Sequence, residues 1–168
     1  MKIFLIGLPG SGKTTVGRAL AKAMNLPFID LDAEIEKTEG MPVREIFSMK
    51  KEEYYRQIES ATLKEWCSKP GDYVIATGGG APCFFDNMEV INRSGTSIFL
   101  DISTREIANR MMRSNLADRP LLAGSTSDEV KDRIEFLRSH RLPFYKKAAI
   151  TISGDQISVE QILEKINA

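Results

Sequence analysis

The chain has 168 residues, 42% hydrophobic and 27% charged, with 23 Lys plus Arg against 23 Asp plus Glu. That is the composition of one ordinary globular domain, residues 1–168, able to bury a core of its own. A formal net charge of zero speaks against a nucleic-acid binder, and no apolar run approaches the ~20 residues of a membrane span. The two cysteines, Cys67 and Cys83, have neither CxxC nor Cys/His metal spacing, so they read as reduced thiols. The N-terminal apolar run is too short for a signal peptide, and the expectation is a cytoplasmic protein.

The first predicted strand, Ile3 to Ile6, runs into Gly7-Leu8-Pro9-Gly10-Ser11-Gly12-Lys13-Thr14, and a helix pattern follows from Thr14 to Met24. The loop is a full match to GxxxxGK[ST], in the strand–loop–helix context its chemistry requires. Glycines let successive N–H groups curl around an anion, and the helix aims its positive end at the same point. In this motif Lys13 bridges the β- and γ-phosphates of a nucleotide, and the Thr14 hydroxyl ligates Mg²⁺. Kinases, GTPases and ATPases share such a loop. Here no DxxG follows the second strand, no NKxD supplies a guanine pocket, and the third strand ends in Thr77 instead of a metal-binding Asp. These absences speak against a GTPase switch, and the second carboxylate for the metal has to come from another motif.

The second strand, Phe28 to Leu31, leads into Asp30-Leu31-Asp32. Ligands of open α/β sheets sit beyond the carboxyl ends of strands, which puts both carboxylates beside the P-loop. An N-cap role for Asp32, on a helix starting at Ala33, accounts for one carboxylate but not for the pair. The pair suggests a division of labour, with Asp30 near the waters of Mg²⁺ and Asp32 receiving a substrate hydroxyl. A helix follows from Glu52 to Trp66 and carries Arg56, which has Glu52 and Glu59 within pairing distance on its own surface.

The third strand, Tyr73 to Ala76, opens into Thr77-Gly78-Gly79-Gly80-Ala81, whose bare backbone suits close approach of a ligand. A fourth strand runs from Ser97 to Leu100. From about Met112 to Ser127 the pattern is irregular and holds Arg113 and Arg119, as a functional lid does. A helix from Ser127 to Leu137 precedes Arg141-Leu142-Pro143-Phe144-Tyr145, where Pro143 is expected to end a helix, and the last strand is Ala149 to Ile152. Five strands alternating with helices predict an α/β fold with a parallel sheet covered on both faces. His140 reads as a surface residue at a helix end, without a catalytic role.

Six segments, in order, resemble the shikimate kinase family: GLPGSGKT, DLD, the YYRQIE helix, TGGGA, DRPLL and RLPFY. The resemblance covers nearly the whole chain. It implies a three-layer P-loop kinase fold with strands in the order 2-3-1-4-5, substrate-binding helices at about 33–60 and a mobile lid at about 112–127. It also implies transfer of the γ-phosphoryl group of ATP, with Mg²⁺, to the 3-hydroxyl of shikimate in aromatic biosynthesis.

Residue by residue, the resemblance gives the phosphates to Gly10, Ser11, Gly12, Lys13, Thr14 and Thr15, and the metal to Thr14 and, through water, Asp30. Asp32 holds the shikimate hydroxyls, Arg56 and Arg141 clamp its carboxylate, and Gly78, Gly79 and Gly80 meet it through their backbone. Phe47 and Tyr55 wall the ring, Arg119 closes over the phosphates, and Arg110 matches the arginine that stacks on adenine. Catalysis is expected from Lys13, Asp32 and Arg119, in a protein whose partners are ATP and shikimate and whose expected state is monomeric.

Three segments depart from the better-known pattern. Pro82-Cys83-Phe84-Phe85 stands where smaller or more polar residues are common, Met112 to Ala117 is slightly lengthened, and Ile152 to Gln156 is poorer in Arg and Pro. The rival readings are a kinase of another small hydroxy acid, such as gluconate, and a nucleotide-binding regulator without an acceptor. An intact acceptor side, DLD and TGGG, argues against the regulator.

Overall fold

The computed structural model describes residues 1–114 and 126–168. Five parallel strands form one sheet in the order β2-β3-β1-β4-β5. They are β1 (Lys2–Ile6), β2 (Phe28–Asp30), β3 (Tyr73–Ala76), β4 (Thr96–Asp101) and β5 (Ile150–Ser153). The seven helices among the described residues are α1 (Lys13–Met24), α2 (Leu31–Glu39), α3 (Val43–Ser68), α4 (Asn87–Ser94), α5 (Thr104–Arg113), α6 (Ser127–Tyr145) and α7 (Val159–Ile166).

The alternation of β1 sorts the core into two layers. Ile3 and Leu5 point to one face, where they meet Leu20 and Ala21 of α1 and Ile162 of α7. Phe4 and Ile6 point to the other, against Leu63 of α3, Ile91 of α4, Ile107 of α5 and Ile134 of α6. Every β1 residue from Ile3 to Ile6 is fully buried, as a central strand covered on both faces requires. A third, smaller cluster of Ile35, Ile46 and Tyr55 joins α2 to α3 at the side of the sheet.

Several boundaries differ from those read in the sequence. α2 begins at Leu31, and its cap is Asp30, whose carboxylate accepts the Ala33 N–H at 3.3 Å; Asp32 is no cap but lies in the first turn. α3 is broken at Lys51, whose φ of 68° is left-handed, so its second half starts where the Glu52 pattern begins. Pro143 does not end α6, which runs on to Tyr145. A proline there removes one N–H and distorts the last turn without stopping it, because Tyr145 is anchored in the core. α4, α5 and α7 carry no expectation from the sequence. α4 and α7 are two-turn helices, too short for a periodic pattern to stand out.

Arg119, and most of the 112–127 segment read as a lid, lie outside the described residues. Cys67 and Cys83 are both free thiols. No described helix is long and apolar enough to cross a membrane.

Candidate active site

The site lies along the carboxyl ends of β1, β2 and β3, where the three loops meet. The P-loop turns from β1 into α1 through Gly10 and Gly12, with φ of 81° and 89°, conformations that cost a side chain but not glycine. Lys13, only 9% exposed, donates from Nζ to the carbonyl oxygens of Gly7 at 2.8 Å and Leu8 at 2.9 Å. Burial lowers its pKa to about 8; the nearby Asp32 carboxylate works against that fall, and Arg141 adds to it. Ser11 is buried in the same loop, and its Oγ has no hydrogen-bond partner among the described residues. An orphan hydroxyl in a glycine-rich turn that runs into a helix N-terminus suits an incoming anion.

Thr14 Oγ1 donates to Asp30 Oδ2 at 3.2 Å, and the other oxygen of Asp30 caps α2. Asp30 therefore fixes the start of α2 and stands beside the P-loop hydroxyl at once. Two hard oxygen donors held together at a phosphate loop fit Mg²⁺. Asp32, one residue inside α2, faces the same cavity as Lys13, Thr14, Asp30, Gly78 and Gly79, a space of about 400 Å³. Tyr55 donates its hydroxyl to Asp32 Oδ1 at 3.0 Å. Burial raises the pKa of Asp32, and the Tyr55 hydrogen bond partly offsets the rise.

The glycines after β3 are there because side chains occupy the space a Cβ would need. At Gly80 a Cβ would stand 2.5 Å from Arg56 Nη1, at Gly79 2.9 Å from Arg141 Nη1, and at Gly78 2.9 Å from Asp32 Oδ1 and from Glu59 Oε2. The two arginines, 85 positions apart in the chain, thus lie against adjacent glycines. Both pairing options of Arg56 are realised: Glu59 at 2.9 Å and the more distant Glu52 at 3.9 Å. Pairing on the helix does not remove Arg56 from the site, because Glu59 is 1% exposed and itself belongs to it. Arg56 Nε, Glu59 Oε2 and Arg141 Nη1 are buried without hydrogen-bond partners among the described residues. Such groups are costly unless a ligand completes them. The rings of Phe47 and Tyr55 lie beside Arg56, tilted by 38° with their centroids 4.5 Å apart.

On the other side of the P-loop, Gly10, Gly12, Thr15, Arg110, Gln156 and Ile157 line a second cavity of about 490 Å³. Arg110 reaches Gly10 O at 3.2 Å and Asp155 O at 2.6 Å, and Glu106 holds its Nε at 3.1 Å. The phosphate-loop residues, Asp30, Asp32, Gly78, Gly79 and Arg110 thus line one of the two cavities, Arg56 and Arg141 pack against Gly80 and Gly79, and Tyr55 and Phe47 stand behind Asp32 and Arg56.

Sequence reasoning passed over Glu59 as a site member, Tyr145 and the Gln156–Ile157 wall. Glu59 and Tyr145 stand one helical turn from Arg56 and Arg141, a spacing that puts them on the same face. The Tyr145 hydroxyl donates to Gly79 O, tying α6 to the glycine loop. Cys83 lies near both arginines, but burial pushes its thiol up to about 11, so it is no nucleophile at neutral pH.

A sequence profile described as shikimate kinase matches residues 9–168. A shikimate kinase of Bacteroides fragilis is 42% identical over 99% of this chain and 97% of that protein. The crystal structure of a shikimate kinase from Bacteroides thetaiotaomicron superimposes with a TM-score of 0.93 at 38% identity, covering 100% of this chain and 99% of that one. That of Acinetobacter baumannii shikimate kinase in complex with shikimate gives 0.85 at 33% identity, over 99% of this chain and 90% of that one. A gluconokinase from Sinorhizobium meliloti shares the fold alone, at 20% identity and a TM-score of 0.59.

Proposed function

The chain belongs to the shikimate kinase family, and from that premise we propose how its residues carry the γ-phosphoryl group of ATP to the 3-hydroxyl of shikimate. The observation that carries the reading is the cavity that joins the phosphate loop to Asp32, Gly78 and Gly79, with Arg141 packed against Gly79 and Arg56 against the next glycine, Gly80. Donor and acceptor then meet without crossing bulk water.

Phosphoryl transfer needs positioning and charge neutralisation more than covalent help. Gly10 to Thr15 hold the phosphates, and Lys13 turns from its resting carbonyls to the β- and γ-oxygens. Thr14 would hold Mg²⁺ and Asp30 the waters around it, and the ion would supply neutralisation of the phosphate charge. Arg56 and Arg141 offer bidentate donors to the shikimate carboxylate, which supplies the acceptor their unpartnered nitrogens lack. Gly78, Gly79 and Gly80 let the ring approach bare backbone. Asp32 accepts the 3-hydroxyl, holds it in line and takes its proton, a role its raised pKa suits. Arg119 is assigned to the transferring phosphoryl group on its sequence context alone, and Arg110 to the adenine face. The whole chain, 1–168, acts as one kinase domain in the cytoplasm.

The test is a coupled ADP-release assay with Mg·ATP and shikimate, gluconate or no acceptor. Shikimate-dependent release is expected. Release driven equally by gluconate, or by no acceptor, refutes the assignment.

A further inference from the structure

We propose that Phe84 is a positioning residue for the acceptor: its ring face sets the plane in which Arg56 presents its guanidinium to the substrate carboxylate. The inference rests on the reading above, in which Arg56 clamps that carboxylate.

Phe84 occupies the segment after the glycines, at the end of a single 3₁₀ turn formed by Ala81–Cys83. The Cζ of Arg56 lies 4.1 Å from the centroid of its ring, against 5.3 Å for Tyr55 and 5.7 Å for Phe47. So short a separation places the cation over the ring face, because an approach from the rim is held off by the ring's own radius. The guanidinium is therefore confined on three sides. Phe84 covers it, bare Gly80 backs it, and Glu59 Oε1 holds Nη1 at 2.9 Å.

The side chain is half-buried, yet it packs into none of the three hydrophobic clusters. The backbone beneath it is fixed as well. Asn87, fully buried, donates to Ala81 O at 2.8 Å and accepts the Ser60 hydroxyl at 2.7 Å, which ties this segment to α3, the helix that carries Arg56. Ring and guanidinium thus hang from one rigid frame. A long arginine otherwise has to be ordered when the substrate arrives, and a pre-set plane removes that cost from binding.

The experiment compares Phe84→Leu, Phe84→Tyr and wild-type protein by steady-state kinetics at saturating Mg·ATP. Leucine keeps an apolar side chain but has no ring face. The KM for shikimate is expected to rise between about twofold and thirtyfold in Phe84→Leu, with kcat and the KM for ATP within about twofold. Phe84→Tyr is expected to keep the wild-type KM. In an Arg56→Met background the leucine change is expected to have no further effect on KM. An unchanged KM in Phe84→Leu, or parallel losses in both KM values and in kcat, overturns the proposal, the second outcome marking a merely structural ring. Absence of shikimate-dependent turnover in the wild type overturns the functional reading itself and this proposal with it. Unchanged KM beside normal wild-type turnover overturns this proposal alone.

Discussion

The hydroxyl of Tyr55 donates to Oδ1 of Asp32 at 3.0 Å, a bond from the middle of α3 to the first turn of α2. It stabilises the ionised carboxylate, whereas burial stabilises the neutral acid. Burial is the larger effect, so the acid limb of kcat/KM for shikimate is expected above the ordinary carboxylate range. Removing the bond in Tyr55→Phe raises the Asp32 pKa further, and the limb is expected to move to higher pH. A pH–rate profile that stays put in this variant counts against Asp32 as the titrating base.

Lys13 makes the opposite prediction at the alkaline end. Its pKa in the free protein is about 8, so the cation that receives phosphate is lost as pH rises through that value. kcat/KM for ATP is expected to fall above about pH 8. Bound polyphosphate favours the charged amine, so kcat holds to higher pH. The sign for stability is reversed: the unfolded lysine keeps its proton to higher pH than the folded one, so between about 8 and the ordinary lysine value of 10.5 this group's penalty is relieved as pH increases. Profiles of kcat and kcat/KM with coincident alkaline limbs contradict this account.

Gly80→Ala tests the packing of Arg56. The backbone at Gly80 is right-handed, so alanine fits the chain, but its Cβ lands 2.5 Å from Arg56 Nη1. The guanidinium must move, and the expected result is a rise of about tenfold or more in the KM for shikimate, with the KM for ATP unchanged. The shift also disturbs the buried Arg56–Glu59 pair, so a fall in thermal stability is expected beside the change in KM.

Gly95→Ala is the contrasting case. The new Cβ would stand 2.1 Å from the carbonyl oxygen of Lys2, at the start of the central strand, where no side chain can give way. A loss of about 1–3 kcal/mol in unfolding free energy is expected, read by denaturant titration, with KM values untouched in the folded fraction.

Asn87→Ala removes both ends of the Ser60–Asn87–Ala81 chain and leaves a buried hydroxyl and a buried carbonyl without partners. The expected cost is about 2–4 kcal/mol of stability. A variant as stable as wild type shows that water replaces the amide.

The P-loop and the order of chemistry along the sheet edge were legible because each is written in a contiguous segment. GLPGSGKT, DLD and TGGGA each follow a strand, and a parallel sheet brings such loops to one edge. Which carboxylate caps α2 was not legible: Asp30 and Asp32 are equally good caps, and the choice turned on where β2 stops. Arg56 and Arg141 stood out in the sequence as arginines able to clamp a carboxylate if they converged, and the family pattern assigned them that role. Their convergence depends on the path of α3 and α6 across one face of the sheet, which periodicity does not encode. Phe84 stood out only as a departure from the family pattern, since an aromatic after a glycine loop has no meaning until the helix opposite it is known.

In the resting site the ammonium of Lys13 is docked on the carbonyls of Gly7 and Leu8. Nucleotide binding is therefore an exchange of partners: oxygens of the chain give up the lysine as oxygens of phosphate take it. The gain is the difference between two good interactions, so the loop grips its ligand less tightly than a free buried amine would. The same difference works in reverse after transfer. As the product leaves, the carbonyls reclaim the charge step by step, and no bare cation has to be left behind in a dry pocket. A loop that folds back on its own lysine lets go as readily as it binds, which is what repeated turnover requires.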